Sequence, residues 1–253
     1  MLKKILTTIV IIFIAGIAVA HEHWIDVSDF LPKLDEKIRV YITSGHSFPI
    51  GEIILGEKLL VDTKIVTPER REIVYSTKED KKGVQRLSEE MALTVTGIYL
   101  AQFNLKKPQA KEPNYYAKSI ISAGEITVDK EFNPVSYTLG DYLEIIPLKL
   151  LKNLKRGDEL PLKVVMDNKP LKDTLDVSVK LPVRTDSSSG VSPDKDEKKP
   201  VSAEQNFTLK SDKEGIARLK ISYPGKYLIV MNHKGIGASL TFYIASFKED
   251  KEK

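Results

Sequence analysis

The chain has 253 residues, with 39 Lys and Arg against 35 Asp and Glu, four His and no Cys. The absence of Cys excludes disulfides, thiolate metal sites and anchoring through a lipid-modified Cys, so stability must come from packed cores. Two of the basic residues, Lys3 and Lys4, stand at the extreme N-terminus; the rest of the chain is nearly neutral and offers no basic excess for a nucleic-acid partner.

Residues 1–20 read as a signal peptide, with Lys3 and Lys4 as its basic start, an almost wholly apolar run at 5–17 and Ala18-Val19-Ala20 as a small-x-small cleavage site. The run is short for a membrane span, which needs about 20 residues, and no basic flank follows it. We therefore expect a mature chain that starts at His21, is periplasmic or secreted, and does not itself span a membrane.

Beyond the signal, short runs of β-branched and aromatic residues recur between Gly, Pro, Asn and Asp. Strands are expected at 37–43, 59–66, 72–76, 92–103, 162–166, 175–180, 206–209, 217–221, 225–232 and 239–245, with short helices possible at 85–92 and 114–123. This spacing predicts an all-β protein of two β-sandwich domains, 21–146 and 147–247, divided near Pro147. In the second half, Asp167 and Asn168 form a turn between two alternating strands, and strand pairs joined at such turns suggest an immunoglobulin-like sandwich. Residues 185–204 are rich in Ser, Lys, Asp and Pro and are expected to form a mobile loop, and 248–253 a charged tail.

The chemistry rests on histidine. If the residues after the cleavage site are extended, His21 and His23 lie at i and i+2 and share one side of the strand. Three routes to a metal are open: the two imidazoles together; a free amine, two backbone amides and the His23 ring in a plane, which favours Ni(II) or Cu(II); or the amine and ring of His21 with a second imidazole, which suits copper. His46, in "TSGHSFPIGE", and His233, between "YLIVMN" and "KGIG", both fall where a strand meets a turn. Glu22, Asp26 and Glu52 are near enough in sequence to supply an oxygen ligand or an acceptor for a ligand's second nitrogen. No Gly-x-Ser-x-Gly elbow or Walker loop is present, and "GIGAS" at 235–239 lacks the third glycine of a dinucleotide fingerprint. Hydrolase and nucleotide functions find no support, and a carrier is expected in place of an enzyme. "NFT" at 206–208 matches a glycosylation acceptor but lies in an expected strand.

The signal ending in Ala, the start "AHEHW", the strand leading to "GHSFP", the "DNKPL" turn and the "DKEGIARLKISYPGKYLIV" hairpin resemble the DUF4198 proteins. These are also described as NikK-like periplasmic components of cobalt and nickel transport systems. The resemblance spans roughly residues 20–245. It implies an exported β-sandwich protein that handles a divalent transition metal, nickel or cobalt, in company with a membrane importer, with His21, His23 and His46 at the positions of the family's histidine motifs. Glu22-His23 departs from the commoner Asp followed by an apolar residue, and His233 comes from the reading of the residues alone. A copper redox protein with an amino-terminal His21 chelate, and an adhesive module without metal, are the alternatives.

Overall fold

The computed structural model describes residues 21–108, 110–126, 133–180, 204–245 and 247. The expected signal peptide, nearly all of the expected mobile loop and the charged tail lie outside these residues. The first half contains β1 (Glu22–Val27), β2 (Lys37–Ile38), β3 (Val40–Gly45), β4 (Leu60–Val66), β5 (Glu72–Val74), β6 (Thr77–Glu79), β7 (Gln85–Ser88), β8 (Met91–Ala92), β9 (Gly97–Leu105) and β10 (Tyr115–Ala123). The second contains β11 (Leu143–Pro147), β12 (Glu159–Met166), β13 (Lys169–Pro170), β14 (Thr174–Lys180), β15 (Glu204–Lys210), β16 (Ile216–Lys220), β17 (Gly225–His233) and β18 (Ile236–Ile244). The protein is all-β, with only three short 3-10 turns among the described residues, and no helix there is long and apolar enough to cross a membrane.

One eight-stranded sheet, in the order β15-β14-β17-β18-β10-β9-β4-β5, runs through both halves, joined where β10 pairs in parallel with β18. Strand alternation divides its two faces between two cores. Tyr99, Ala101 and Phe103 of β9 with Ala117 and Ile121 of β10 meet Ile25, Val27, Val40 and Ile42 of β1 and β3. Leu100, Tyr116 and Ile120, with Val177, Ile229 and Leu240, meet Ile145, Leu162, Val164 and Leu219. The four-stranded sheet β1-β3-β7-β6 and the sheet built on β11, β12 and β16 thus cover opposite faces of the long sheet.

In the second half, β11 and β12 lie in one sheet, β14 and β15 in the other, β16 returns to the first and β17 and β18 to the second. This is the crossed arrangement of an immunoglobulin-like sandwich. Asp167 and Asn168 make the expected turn, both at positive φ (51° and 58°), and let Met166 pair with Lys169.

Three expectations are corrected. The segment 114–123 is no helix but holds the buried strand β10, whose run of nine buried positions carries no alternation because neighbours flank it and cores cover both faces. In 85–92, β7 buries Arg86 and Ser88, polar residues on an inward face that read as a helix's wet side; Arg86 is held by Thr77. The expected hairpin around "ISYPG" is an arch between sheets, because β16 pairs with β12 and β17 with β14 and β18.

Candidate functional site

β1 and β3 pair antiparallel with His23 opposite Ser44 and Glu22 opposite Gly45, so the next pair outward is His21 with His46. His21, His23, Ser44 and His46 continue the face that buries Ile25, Val27, Val40 and Ile42 further along the same two strands. The apolar face therefore ends in a patch of imidazoles at the open end of the first core. The rings of His21 and His46 are 4.3 Å apart between centroids and tilted by 50°. His23 Nδ1 lies 2.9 Å from Ser44 Oγ, and its ring meets that of Tyr115 edge-on at 4.8 Å.

The segment after β3 places His46. A Cβ on Gly45 would come within 2.9 Å of the Ile50 carbonyl, so the glycine allows the chain to fold back on itself. The Glu52 and Ile53 amides then donate to the Ser44 carbonyl, and Phe48, which precedes a cis proline, buries its ring edge-on against Trp24. This return brings Glu52 Oε2 to 2.7 Å from His46 Nδ1. The hydrogen bond from His46 holds the Glu52 carboxyl below its ordinary range, and a smaller pull comes from His21. His46 is left with Nε2 as its free ring nitrogen, in the orientation that carboxylates impose on ligand histidines.

Burial, and then the charge of His21, lower the His23 pKa to about 4, so this ring is neutral at pH 7. Tyr115, which burial pushes far up, stays protonated and donates to the His23 carbonyl at 2.9 Å, while its oxygen is 3.3 Å from the His23 amide. Ser44 and Tyr115 have no sequence signature as site residues: Tyr115 lies 92 residues from His23 and reaches it through the sheet.

His233 is placed apart from this group. It follows Tyr227, Ile229 and Met231 on the face of β17 that meets the second core, whereas Leu228 and Lys226 reach Trp24 and Asp26 of β1 from the opposite face. It ends that second core in a pair with Asp173, Nδ1 to Oδ2, at 2.5 Å. Asp26 is bound to Lys226 at 2.6 Å. Among the described residues no three His, Cys, Asp or Glu side chains already surround one point.

A family model described as "Domain of unknown function (DUF4198)" matches residues 18–235, a segment that takes in all four histidines. The chain belongs to the DUF4198 family. No curated protein matches it in sequence. Among solved structures, the Escherichia coli adhesin FdeC is 14% identical at a TM-score of 0.23, over 89% of this chain and 64% of its own. The mouse nectin-like molecule 4 ectodomain is 11% identical at 0.22, over 91% and 66%. A DUF4785 protein from Legionella pneumophila is 9% identical at 0.28, over 89% and 47%. This DUF4198 chain thus spans less than two thirds of each of these structures, and TM-scores of this size carry no argument about its function.

Proposed function

We propose that the protein is an exported periplasmic or secreted carrier that captures a divalent transition metal, nickel or cobalt, and hands it to a membrane importer. The observation that supports this most is the approach of the His21 and His46 rings to 4.3 Å at the ends of β1 and β3, with Glu52 on the Nδ1 of His46 and a neutral His23 one pair inward. Imidazoles oriented by a carboxylate at the exposed end of a rigid sheet suit reversible capture of a metal as cargo.

Among the three routes, the arrangement favours the amine and ring of His21 with the ring of His46. The planar route needs the Glu22 and His23 amides as ligands, yet both residues lie in β1 opposite Gly45 and Ser44 of β3, and the His23 amide meets Tyr115. The favoured route also suits copper, so a copper-binding redox protein is the second reading. His233, on the other face with Asp173, takes no part in this set.

The test is titration of Ni(II), Co(II) and Cu(II) into the protein beginning at His21, beside a form with one extra N-terminal Met, His46→Ala and Glu52→Gln. We expect the extra residue and H46A each to weaken binding at least about tenfold, and E52Q to weaken it about 10- to 100-fold. Equal binding by all four forms overturns the site. Turnover of the copper form with oxygen and a reductant would favour the redox reading over the carrier.

A further inference from the structure

We propose that Asn206 is an acceptor for N-linked glycosylation, taking an oligosaccharide from a polyprenyl diphosphate carrier during export. The segment Glu204-Gln205-Asn206-Phe207-Thr208 carries the acceptor pattern Asn-x-Thr without a central Pro. An acidic residue also stands two places before the Asn, the extended form of the pattern that bacterial transferases select. A strand speaks against such a site when it lies inside a sheet. The structure places this one at the rim: β15 is the end strand of the eight-stranded sheet and, among the described residues, pairs only with β14.

Strand geometry then sorts the side chains. Leu209 packs against the second core, so Asn206 and Thr208, three and one residues before it, stand together on the opposite face, and both are exposed. A transferase reads the acceptor amide together with the hydroxyl two residues on, and the extended chain already presents the two on one side. Phe207 between them is 38% exposed, so none of the three is locked into a core. Room for a sugar is present as well: the residue opposite Asn206 on β14 is the small Ser178, and Asp176, opposite Thr208, is exposed.

The chemistry is a substitution at the anomeric carbon of the sugar. Asn206 Nδ2 forms the new C–N bond as the C–O bond to the diphosphate breaks; the polyprenyl diphosphate leaves with the bonding electrons, and the amide gives up one proton to solvent. A membrane oligosaccharyltransferase supplies the catalysis, and this chain supplies only the acceptor. An edge strand held by one ladder opens locally at lower cost than a strand held by two, which gives the enzyme access to residues 204–208. The glycan then stands beside the unpaired edge of β15, the kind of edge that otherwise templates pairing with another chain. The site needs export, as the carrier does, and none of the histidines.

The full chain, residues 1–20 included, is produced in a bacterium that carries an oligosaccharyltransferase and its polyprenyl diphosphate-linked oligosaccharide, and intact and peptide masses are measured. We expect a gain of one oligosaccharide on the peptide that holds Asn206. The gain should persist in Thr208→Ser and in H46A, fall in Glu204→Gln, and vanish in Asn206→Gln and Thr208→Val. An unmodified wild type, or a glycan that persists in N206Q or T208V, overturns the acceptor. The same spectra separate the two ways of failing: a chain that begins at His21 without a glycan overturns the acceptor alone, whereas one that keeps residues 1–20 overturns the export on which acceptor and carrier both rely.

Discussion

His23 and Asp141 are each perturbed by burial, with opposite consequences for stability against pH. The His23 value falls from 6.5 to about 4 in the fold, so the unfolded chain takes up the proton first. Its contribution is complete above 6.5 and is lost as pH falls toward 4. The Asp141 value rises from 3.8 to about 6, so its contribution is complete below 3.8 and is lost as pH rises through 6. The two effects oppose each other in the wild type. Urea denaturation in chelator at about pH 4.5 and 6.5 should separate them: relative to wild type, His23→Gln gains stability on acidification and D141N loses it. A parallel response of all three proteins would show that neither group is buried as described.

At the scale of single elements, the pairing of β10 with β18 decides where Tyr115 stands. Tyr115 is opposite Gly237, and a Cβ there would come within 2.3 Å of its ring. Gly237→Ala should therefore cost about 1–3 kcal/mol and loosen the hold of Tyr115 on His23. Gly56→Ala, whose Cβ would meet nothing nearer than 3.9 Å, should stay within about 0.5 kcal/mol of wild type in the same urea series. The strands that alternate were legible in sequence, as were the turns at Asp167 and Asn168 and the shared side of His21 and His23. β10 was not, because a strand buried on both faces loses its period of two and reads as any apolar run. β7 was not, because Arg86 buries its charge beneath polar partners that only the neighbouring strand supplies.

For the whole molecule, the buried pair of Lys118 and Glu144 ties β10 of the first half to β11 of the second. Lys118 also donates to the Tyr137 carbonyl, and Glu144 accepts from the Leu139 and Gly140 amides. Removing the lysine alone strands a carboxylate that is 3% exposed, so Lys118→Met should cost about 3–5 kcal/mol. K118M/E144Q should recover part of that loss, since an amide oxygen still accepts from the backbone without carrying charge. Chemical denaturation of the single and double variants checks both. With one sheet passing through both halves, the change should shift a single transition; two separable transitions would mean that the halves unfold independently.

The sequence by itself determined the β class, the turn chemistry and the facing of His21 with His23, because each follows from backbone geometry over a few neighbouring residues. Only the tertiary structure decided that the ring of His46 meets that of His21 while His233 falls on the opposite face with Asp173. It alone brought Tyr115 to His23 and set β15, with Asn206 and Thr208, at the open edge of the long sheet. The reason is that strand register joins residues far apart in the chain, and a shift of one position sends every side chain to the other face.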